Sequence, residues 1–514
     1  MFNDTHPRLI GSLRAADPSP LEGAAPAARP SRFRGTSGTG LAAPALGVVL
    51  AFGLLSGCSF IPAYERPAAP VAAAYPGNPP AATAGQTASA AADLAWQDFF
   101  GDARLKPLIE AALTNNRDLR VAVLNVEQAR AQFQIRRADQ YPTLNAQASA
   151  TRAPSVVNGQ IGNTFSVGLG VSAWEIDFFG RIASLKEQAL AQYLATEEGR
   201  KAAQISLVAS VANGWLNLLA DEELLSLTRQ TLATREDSMK LTKLRFDNGA
   251  ASELDYRQAE SLAEAARATL AQLQRQRMQD ENALVLLLGQ PLPAGALDGA
   301  APAAGGVSES ATPLTMLAAL PDVPAGLPSD LLARRPDIRQ AEQQLIGANA
   351  NIGAARAAFF PRISLTAMAG TTSNELSGLF KNGSWGFTLA PQLALPIFDA
   401  GRNQAGLESA RAGREIAVAQ YEKSIQTAFR EVADALAGRA TLGEQLRAQQ
   451  AQAGAETQRY KLSNLRYQNG VASYLDLLDA QRSLFTAQQA VVQTRLAQLQ
   501  NQVTLYKSLG GGFR

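Results

Sequence analysis

Histidine and cysteine are nearly absent from this 514-residue chain, which contains one of each, His6 and Cys58. A single histidine close to the N-terminus leaves a serine or cysteine nucleophile without a general base, and a zinc cluster without ligands. The sequence also lacks a phosphate-binding P-loop and a glycine-rich dinucleotide fingerprint. Lys and Arg number 47 against 45 Asp and Glu, so no basic surface for nucleic acid is predicted. These absences argue against an enzyme and predict a protein that needs no cofactor and binds no nucleic acid.

The chain does contain an internal repeat. The stretch LRFDNGAASELDYRQAE at 244–260 returns as LRYQNGVASYLDLLDAQ at 465–481, which is 221 positions later (465 − 244). Upstream the separation is 219, between Pro142 and Pro361 (361 − 142), so the two copies differ slightly in length. A fixed period predicts two similar halves of one architecture. We assign the segments as a first repeat at 96–290, a linker at 291–328 and a second repeat at 329–514.

The N-terminal region has the features of a signal peptide. An apolar run of about 15 residues, short for a membrane-spanning helix, follows three arginines and ends in LSGC at 55–58. This ending resembles the lipobox of bacterial lipoproteins, which implies removal of 1–57 and a diacylglycerol and an N-acyl lipid on Cys58. Ser59 stands where many inner-membrane lipoproteins have aspartate, so the resemblance points to the outer membrane. The alternative is an ordinary signal followed by a buried or chance cysteine. The length of this segment favours a true start downstream of Met1.

Alternating and helical patterns follow a stretch without either. Residues 58–95 are rich in Pro, Ala, Gly and Ser and show no apolar face, so we expect a lipidated tether. Beyond it, apolar residues recur at spacings of three and four, or alternate with polar residues. These patterns predict helices at 103–140, 181–246, 252–288, 337–358, 402–467 and 473–509, and strands at 144–150, 165–173, 363–369 and 385–395.

The predicted strands cannot form a complete barrel in one chain. They have about the length that crosses a bilayer when tilted. Transmembrane barrels begin at about 8 strands, and open sheet edges are not tolerated in lipid, so several chains must share one barrel. Two chains would give a narrow, filled barrel, whereas three chains would give about 12 strands and a wider lumen.

The long helical segments favour three chains. At about 1.5 Å per residue, 181–246 and 402–467 would each form a helix of roughly 100 Å, which can pack only against other long helices. A coiled-coil stalk is the alternative, but both segments follow directly on predicted membrane strands. The predicted fold is therefore mainly α with membrane β: a duplicated long-helix α-barrel plus four β-strands per chain, which contribute to a trimeric 12-stranded transmembrane β-barrel.

Three stretches resemble the outer membrane factor family of Gram-negative bacteria. They are LLARRPDIRQAEQQLIGANANIGAARAAFFPRISL at 331–365, LPIFDAGRNQAGLESARA at 395–412 and LRYQNGVASYLDLLDAQR at 465–482. The resemblance implies a homotrimer in the cell outer membrane that extends into the periplasm. It also implies two partners, a periplasmic membrane fusion (adaptor) protein and an inner-membrane RND-type transporter. The lipobox matches the NodT-like branch of the family rather than TolC, which has no lipid.

The resemblance also implies a periplasmic gate. It lies just after Asn469 and Gly470, the turn at the tip of the second helical hairpin. Matched residue by residue, Leu475 would form an apolar constriction, and Asp476 and Asp479 would form acidic rings. Arg482 would hold neighbouring helices closed, and Tyr467 would support this network through hydrogen bonds.

The residues themselves admit simpler roles. Ser473 precedes Asp476 by three positions, as in a capping box, and the same pattern occurs at 252–255. The carboxylate of Asp476 is therefore also explained by a helix N-terminus. Asp479 and Arg482 are three residues apart on one helix face and could form an ordinary surface ion pair.

The two hairpin tips carry an Asn-Gly pair each, Asn248 with Gly249 and Asn469 with Gly470. Both residue types tolerate a positive φ, which is sufficient structural reason for them. The resemblance implies in addition that these tips dock the adaptor protein.

The sequence thus predicts the outer membrane channel of a tripartite efflux pump, a passive exit duct for drugs or other small molecules. A duct for type I protein secretion is the alternative within transport. A non-transporting trimeric surface lipoprotein is the alternative outside it, and membrane-length strands argue against that alternative.

Overall fold

The structure is a computed structural model, which describes residues 59–76, 93–154, 159–293, 314, 320–321, 323 and 328–513. The predicted signal peptide at 1–57, the lipobox residue Cys58 and most of the linker at 291–328 lie outside these residues. In the described part, the chain forms nine α-helices, one short 3₁₀ helix and four β-strands.

Apart from the first helix and the 3₁₀ helix between the last two strands, the elements occur twice in the same order, as the sequence repeat predicts. The helices are α1 (Trp96–Phe99), α2 (Leu105–Asn115), α3 (Arg117–Ala138), α4 (Arg181–Asp247), α5 (Glu253–Leu288), α6 (Pro328–Arg334), α7 (Pro336–Ala357), α8 (Arg402–Gln468) and α9 (Tyr474–Ser508). The strands are β1 (Leu144–Pro154), β2 (Ile161–Glu175), β3 (Arg362–Ser373) and β4 (Trp385–Ala394). The long helices α4 and α8 contain 67 residues each, so each is about 100 Å long.

Both long helices start at the end of the sheet, and in each an aspartate before the helix accepts a hydrogen bond from a main-chain N of the first turn. The carboxylate of Asp177 accepts a hydrogen bond from the main-chain N of Ala183 at 2.7 Å. Asp399 accepts one from the main-chain N of Asn403 at 2.9 Å. A carboxylate at this position satisfies N–H groups that have no partner within the helix and complements the helix dipole. Each strand therefore passes into its helix within a few residues.

The long helices pack with the shorter ones in a fixed order. Near the sheet, α3 packs on α4, α4 on α7, and α7 on α8. Further along, α4 packs on α5, α8 packs on α9, and α9 also contacts α4. The main core lies where these two sets of packed helices meet. Its fully buried side chains include Trp215, Tyr421 and Tyr506. One 18-residue stretch of α4 has a mean hydropathy of 1.2, which a membrane helix would also show, but 56% of it is buried inside the protein.

The prediction of one continuous helix at 103–140 is wrong. The chain breaks between α2 and α3 at Asn116, whose backbone is extended (φ −61°, ψ 130°). Its Oδ1 accepts a hydrogen bond from the main-chain N of Leu119 at 2.8 Å, and its Nδ2 donates to the main-chain oxygen of Leu287 at 2.9 Å. Asn116 therefore caps α3 and ties it to α5, which a continuous helix would not allow.

The expected lack of burial in the tether is wrong for residues 59–76. Although this segment has no regular secondary structure, it lies against the helices. Tyr75 is buried and stacks on Phe429 with ring centroids 5.1 Å apart. Arg66 forms a bidentate pair with Glu342 at 2.7 and 2.9 Å. A few aromatic and charged anchors thus hold a Pro- and Ala-rich stretch that has no periodic apolar face.

The four strands form one antiparallel sheet in the order β1-β2-β3-β4. The two halves of the chain meet between β2 and β3, where Gly168 lies opposite Gly370. A Cβ on Gly168 would lie 2.5 Å from the oxygen of Ala369 and 2.8 Å from Cα of Gly370, so only glycine fits. Within the described residues, the outer edges of β1 and β4 have no strand partner.

The last strand carries large apolar side chains that this chain leaves uncovered. Trp385, Phe387, Leu389 and Leu393 are each more than half exposed. They alternate along β4, so they lie on the same face of the sheet. Monomeric soluble proteins rarely expose such a continuous apolar face, which is typical of a surface that contacts lipid.

Candidate functional site: the hairpin tips and the gate

The two hairpin tips have the same geometry. Gly249 and Gly470 have positive φ values of 73° and 71°. The main-chain N of Ala250 donates to the oxygen of Arg245 at 2.7 Å, and Val471 repeats this bond in the second half. This closure of a helix by a left-handed glycine satisfies carbonyl groups at the helix end.

The asparagines of the tips act differently from the expectation of a positive φ. Asn248 and Asn469 have φ values of −98° and −87°. Their side-chain nitrogens donate to the oxygens of Leu244 and Leu465 at 2.7 Å. They therefore cap the carbonyl ends of α4 and α8, while only the glycines use the left-handed conformation.

The helices that follow the two tips, α5 and α9, each begin with a capping box. This confirms the capping role predicted for Asp476. The Oγ of Ser473 accepts a hydrogen bond from the main-chain N of Asp476 at 3.3 Å, and Asp476 Oδ2 accepts one from the main-chain N of Ser473. Ser252 and Asp255 form the same box in the first half. A carboxylate at this position is thus used by the helix itself.

Three of the predicted gate residues share one face of α9. At about 100° per residue, Leu475, Asp479 and Arg482 lie within roughly 60° of one another around the helix axis. All three are exposed, and the buried residues Leu477 and Gln481 lie at least about 100° away from them around the helix axis. Leu475 is 59% exposed, which is unusual for a large apolar side chain next to a core.

Asp479 is paired, but not with the residue that its spacing suggests. Its Oδ2 accepts a hydrogen bond from Nη2 of Arg459 on α8, so the pair links the two helices of the second hairpin. Arg459 also pairs with Glu456 at 3.2 Å and donates to Ser483 at 3.3 Å. The expected surface pair of Asp479 with Arg482 is replaced by this interhelical network.

A second arginine, Arg235 of α4, lies beside α9. Arg235 of α4 is buried, and its guanidinium lies 5.1 Å from the ring of Phe485. Its Nη1 donates to the oxygen of Leu262 at 3.2 Å, while its Nε has no hydrogen-bond partner in the described structure. Burial first, and then the charge of Arg482, lower the pKa of Arg235. The positive charge of Arg482 therefore disfavours the charged form of Arg235 where α9 meets α4.

Tyr467 supports the tip from the end of α8. Its ring lies 5.3 Å from that of Tyr474, which is buried in a small cluster with Leu262 and Leu477. The guanidinium of Arg245 lies 5.0 Å from the ring of Tyr467. Tyr467 thus joins the tips of the two hairpins through aromatic and cation–π contacts.

Sequence reasoning missed Arg459 and Arg235. Both lie inside long helical patterns, in which an arginine is interpreted as an ordinary solvent-exposed side chain. The exposure of Arg459 and the burial of Arg235 depend on how the hairpins pack, which residue spacing does not reveal. No group of His, Cys, Asp or Glu among the described residues is arranged to hold a metal ion.

Comparison with known proteins gives consistent results over about nine-tenths of the chain. The family model described as outer membrane efflux protein matches residues 108–290 and 327–511. The probable efflux pump outer membrane protein TtgC of Pseudomonas putida is 48% identical over 467 residues, which cover 90% of this chain and 94% of TtgC. The outer membrane protein OprJ of Pseudomonas aeruginosa is 46% identical over 479 residues, which cover 91% and 96% of the two chains.

Solved structures agree with these sequence comparisons. The open state of the Neisseria gonorrhoeae MtrE outer membrane channel is similar with a TM-score of 0.78 and 40% identity, and the match covers 89% of this chain and 99% of that one. A membrane protein from Pseudomonas aeruginosa is similar with a TM-score of 0.79 and 45% identity, over 88% and 98% of the two chains.

Proposed function

The chain belongs to the outer membrane efflux protein family and is a channel of the outer membrane, and from this premise we propose that three copies form the exit duct of a tripartite efflux pump. The mature chain contributes four strands to a shared barrel and its long helices to a shared tunnel in the periplasm. Drugs or other small molecules pass through the duct, and the pump selects them.

One observation carries this proposal: the four-stranded sheet, whose two edges have no strand partner among the described residues, runs directly into two helices of about 100 Å. Lipid does not tolerate open edges, so β1 of one copy has to pair with β4 of the next. Three copies give about 12 strands, a number that leaves a water-filled lumen rather than a packed interior.

The test is to measure mass and conductance on the same preparation. Purified protein in lipid is expected to contain three copies per particle and to produce discrete single-channel currents in planar bilayers. Heat-dissociated protein from the same sample serves as the control and is expected to give no currents. A monomer or dimer that conducts, or a trimer without conductance at any voltage, would contradict the proposal.

We assign the gate to the exposed face of α9 that carries Leu475, Asp479 and Arg482, with Asp476 and Tyr467 at its border. In a trimer this face occurs three times around one axis, where crowded carboxylates repel one another and need cationic partners. Arg459 supplies one such partner to Asp479 within the chain. Arg482 makes no ion pair in the described structure of a single chain, so it is available to an acid of a neighbouring copy.

Replacement of Asp479 or Arg482 by Ala is expected to loosen the closed state. An exposed ion pair contributes up to about 1 kcal/mol, so three symmetric pairs can shift the ratio of open to closed channels by at most roughly a hundredfold. The measurement is single-channel conductance and open probability in planar bilayers. Arg267→Ala is the control, because Arg267 pairs with Glu236 and Glu264 on the other hairpin. Unchanged conductance in both gate variants would count against this gate.

The tips at Asn248, Gly249, Asn469 and Gly470 are proposed to dock the periplasmic adaptor protein. They are exposed and are the most distant points of the two hairpins from the sheet. Asn469→Ala preserves the backbone turn formed by Gly470, so a loss of adaptor binding would reflect the lost side chain. Co-purification with the adaptor and the inner-membrane transporter measures this, and an unchanged yield in the variants of both tips would exclude them as docking sites.

We propose that Cys58 carries the lipid anchor. The described segment begins one residue later, and Phe60 stacks on Phe360 with centroids 4.6 Å apart. Phe360 lies just before β3, so the chain enters the fold at the boundary of the proposed membrane barrel. Mass spectrometry of the mature N-terminal peptide should show the acyl groups, and Cys58→Ser should lack them. An unmodified cysteine in the mature protein would overturn this assignment.

A further inference from the structure

A basic pocket lies between α7, α8 and the N-terminal segment. It has a volume of about 290 Å³ and is lined by Pro62, Ile352, Arg356, Arg411, Arg414 and Glu415. Glu415 is the one acid among these lining residues, and it pairs with Arg414 at 3.0 Å. Three arginines against one glutamate leave the pocket with an excess of positive charge.

The protein itself uses few of the donors of these arginines. Arg356 donates from Nη1 to the main-chain oxygen of Phe60 at 3.2 Å. Arg414 is 38% exposed and its partner Glu415 is 68% exposed, so water weakens their attraction. Arg411 is exposed and makes no hydrogen bond or ion pair within the part of the chain that the structure describes. A guanidinium has five N–H donors, so most donors of the three arginines are available to an anion.

The duplicated architecture does not require an arginine at 411 or 414. The equivalent positions of the first repeat are Leu190 (411 − 221) and Tyr193 (414 − 221). There, Tyr193 packs on Phe133 with ring centroids 6.4 Å apart. The second repeat thus has charges where the first repeat has packing side chains, so these arginines need an explanation other than the fold.

The pocket lies on the outer face of the helix layer. Pro62 forms part of its wall and is four residues from Cys58, the proposed lipid anchor. An acyl anchor has to lie in the lipid around a barrel, so the N-terminal segment marks the outside. On α8, Arg411 is about 160° around the helix axis from Ser409 and Gly413, which line a separate groove on the other face.

Exposed aromatic side chains mark the level at which the membrane ends. The four junctions between a helix and a strand each carry one, namely Tyr141, Phe178, Phe359 and Phe398. Aromatic side chains are enriched at the interfaces between membrane and water. Arg356 lies three residues before Phe359, which is less than one helical turn. The pocket is therefore close to the periplasmic surface of the membrane.

The directions of the arginine side chains fit this location. Arg411 and Arg414 lie about 14 and 18 Å along α8 from its first residue. Cβ atoms tilt towards the N-terminus of a helix, which for α8 is the end at the sheet, so both side chains lean towards the membrane. The headgroup layer extends about 5–8 Å beyond the hydrocarbon, and long arginine side chains extend towards it.

We propose that this pocket binds the phosphate of an anionic phospholipid from the periplasmic leaflet of the outer membrane. The inference depends on the location of the sheet in that membrane and not on the proposed trimeric duct. Guanidinium groups bind phosphate oxygens through paired N–H bonds, and basic pockets between helices at a membrane surface suit acidic headgroups. The bound lipid is a second attachment to the membrane beside the acyl chains proposed on Cys58.

Native mass spectrometry of the full-length lipidated protein in a neutral detergent tests this proposal. Phosphatidylglycerol, which is anionic, and phosphatidylcholine, which is zwitterionic, are titrated separately with the same short acyl chains. The wild type is expected to bind phosphatidylglycerol more tightly, with one lipid per pocket. Arg411→Gln combined with Arg414→Gln should weaken phosphatidylglycerol binding by about thirtyfold, about fivefold per arginine, and leave phosphatidylcholine binding unchanged.

Arg430→Gln combined with Arg447→Gln is the matched control. Both are exposed arginines of α8 that pair with an acid on the same helix. They lie about 42 and 68 Å along α8 from its first residue, far from the membrane. This variant loses the same charge as the pocket variant and should bind phosphatidylglycerol as the wild type does. Urea denaturation of both variants checks that they fold equally well.

Three outcomes would overturn the proposal. The first is equal affinity of the wild type for the two lipids, a result that needs no variant. The second is wild-type binding of phosphatidylglycerol in the variant at Arg411 and Arg414. The third concerns the source of the anion: inorganic phosphate in excess over the lipid, at constant ionic strength, should not displace it. Displacement would assign the pocket to a soluble anion. A channel without conductance would refute the duct and leave these lipid measurements unaffected.

Discussion

Arg335 offers the sharpest test of how the helices are held together. It lies between α6 and α7 in the stretch LLARRPDIR and is 7% exposed. Its Nη1 donates to the oxygen of Ser508 at 2.9 Å, and its Nη2 contacts Asp337 at 2.6 Å and Glu431 at 2.8 Å. Burial opposes its charge, but the two carboxylates more than compensate, so the pKa of Arg335 is raised. One side chain thus connects α7, α8 and the end of α9.

The expected cost of Arg335→Met follows from these contacts. Removal leaves the buried carbonyl of Ser508 without this donor, which costs about 1–3 kcal/mol. Asp337 and Glu431 lose charged partners, but their side chains are 40% and 36% exposed, so water replaces much of this interaction. Removing a desolvated guanidinium recovers part of the loss. We expect the free energy of unfolding to fall by about 3 kcal/mol.

The adjacent Arg334 is the matched control. It is a partly exposed arginine that pairs with Asp93 at 2.6 Å, and such a surface pair contributes less than about 1 kcal/mol. The assay is urea denaturation of both Met variants in the same detergent, followed by helical circular dichroism. Arg335→Met should unfold at a clearly lower urea concentration, and Arg334→Met should unfold close to the wild-type concentration. Equal midpoints for the two variants would refute the role assigned to Arg335.

Three further predictions follow from single residues. Burial first, and then Asp280, raise the pKa of Asp221 from 3.8 to about 7. Since the folded state holds this proton more tightly, stability should fall as pH rises from about 4 to 7, and Asp221→Asn should flatten that part of a curve of unfolding midpoint against pH. Gly168→Ala should weaken the sheet and lower the dissociation temperature of the assembly in gel electrophoresis, whereas Gly162→Ala should not, because a Cβ there meets nothing within 4 Å. Ser473→Ala should cost about 1 kcal/mol through the lost cap, measured by urea denaturation, and a wild-type midpoint would contradict the capping box.

Much of the fold follows from the sequence because its determinants are local and periodic. The long helices have no strong breaker between the sheet and the tips, and the observed α4 ends within one residue of the predicted bound at 246. The four strands lie where polar and apolar residues alternate. The repeat then fixes the same plan twice, and the family's solved channels confirm the architecture.

The errors of the sequence analysis concern contacts between distant residues. From the sequence, Asn116 is interpreted as an ordinary helix residue, because its contact with the carbonyl of Leu287 forms only in the folded chain. The segment 59–76 shows no apolar face. In the structure, however, Tyr75 stacks on Phe429 and Arg66 pairs with Glu342, residues that are distant in the sequence. Asp479 pairs across the hairpin with Arg459, because two antiparallel helices bring those positions together. Spacing within one helix does not contain this information.

The central claim is that one chain is a third of a hollow tube that continues from the membrane into the periplasm. Single-particle cryo-electron microscopy of the full-length lipidated protein in lipid nanodiscs tests it most directly. The account predicts three copies around one axis, a closed barrel in which β4 of each copy pairs with β1 of the next, and an open bore enclosed by the long helices of all three copies. A particle with a solitary chain, or a trimer whose axis is filled by side chains along the helices, would contradict it.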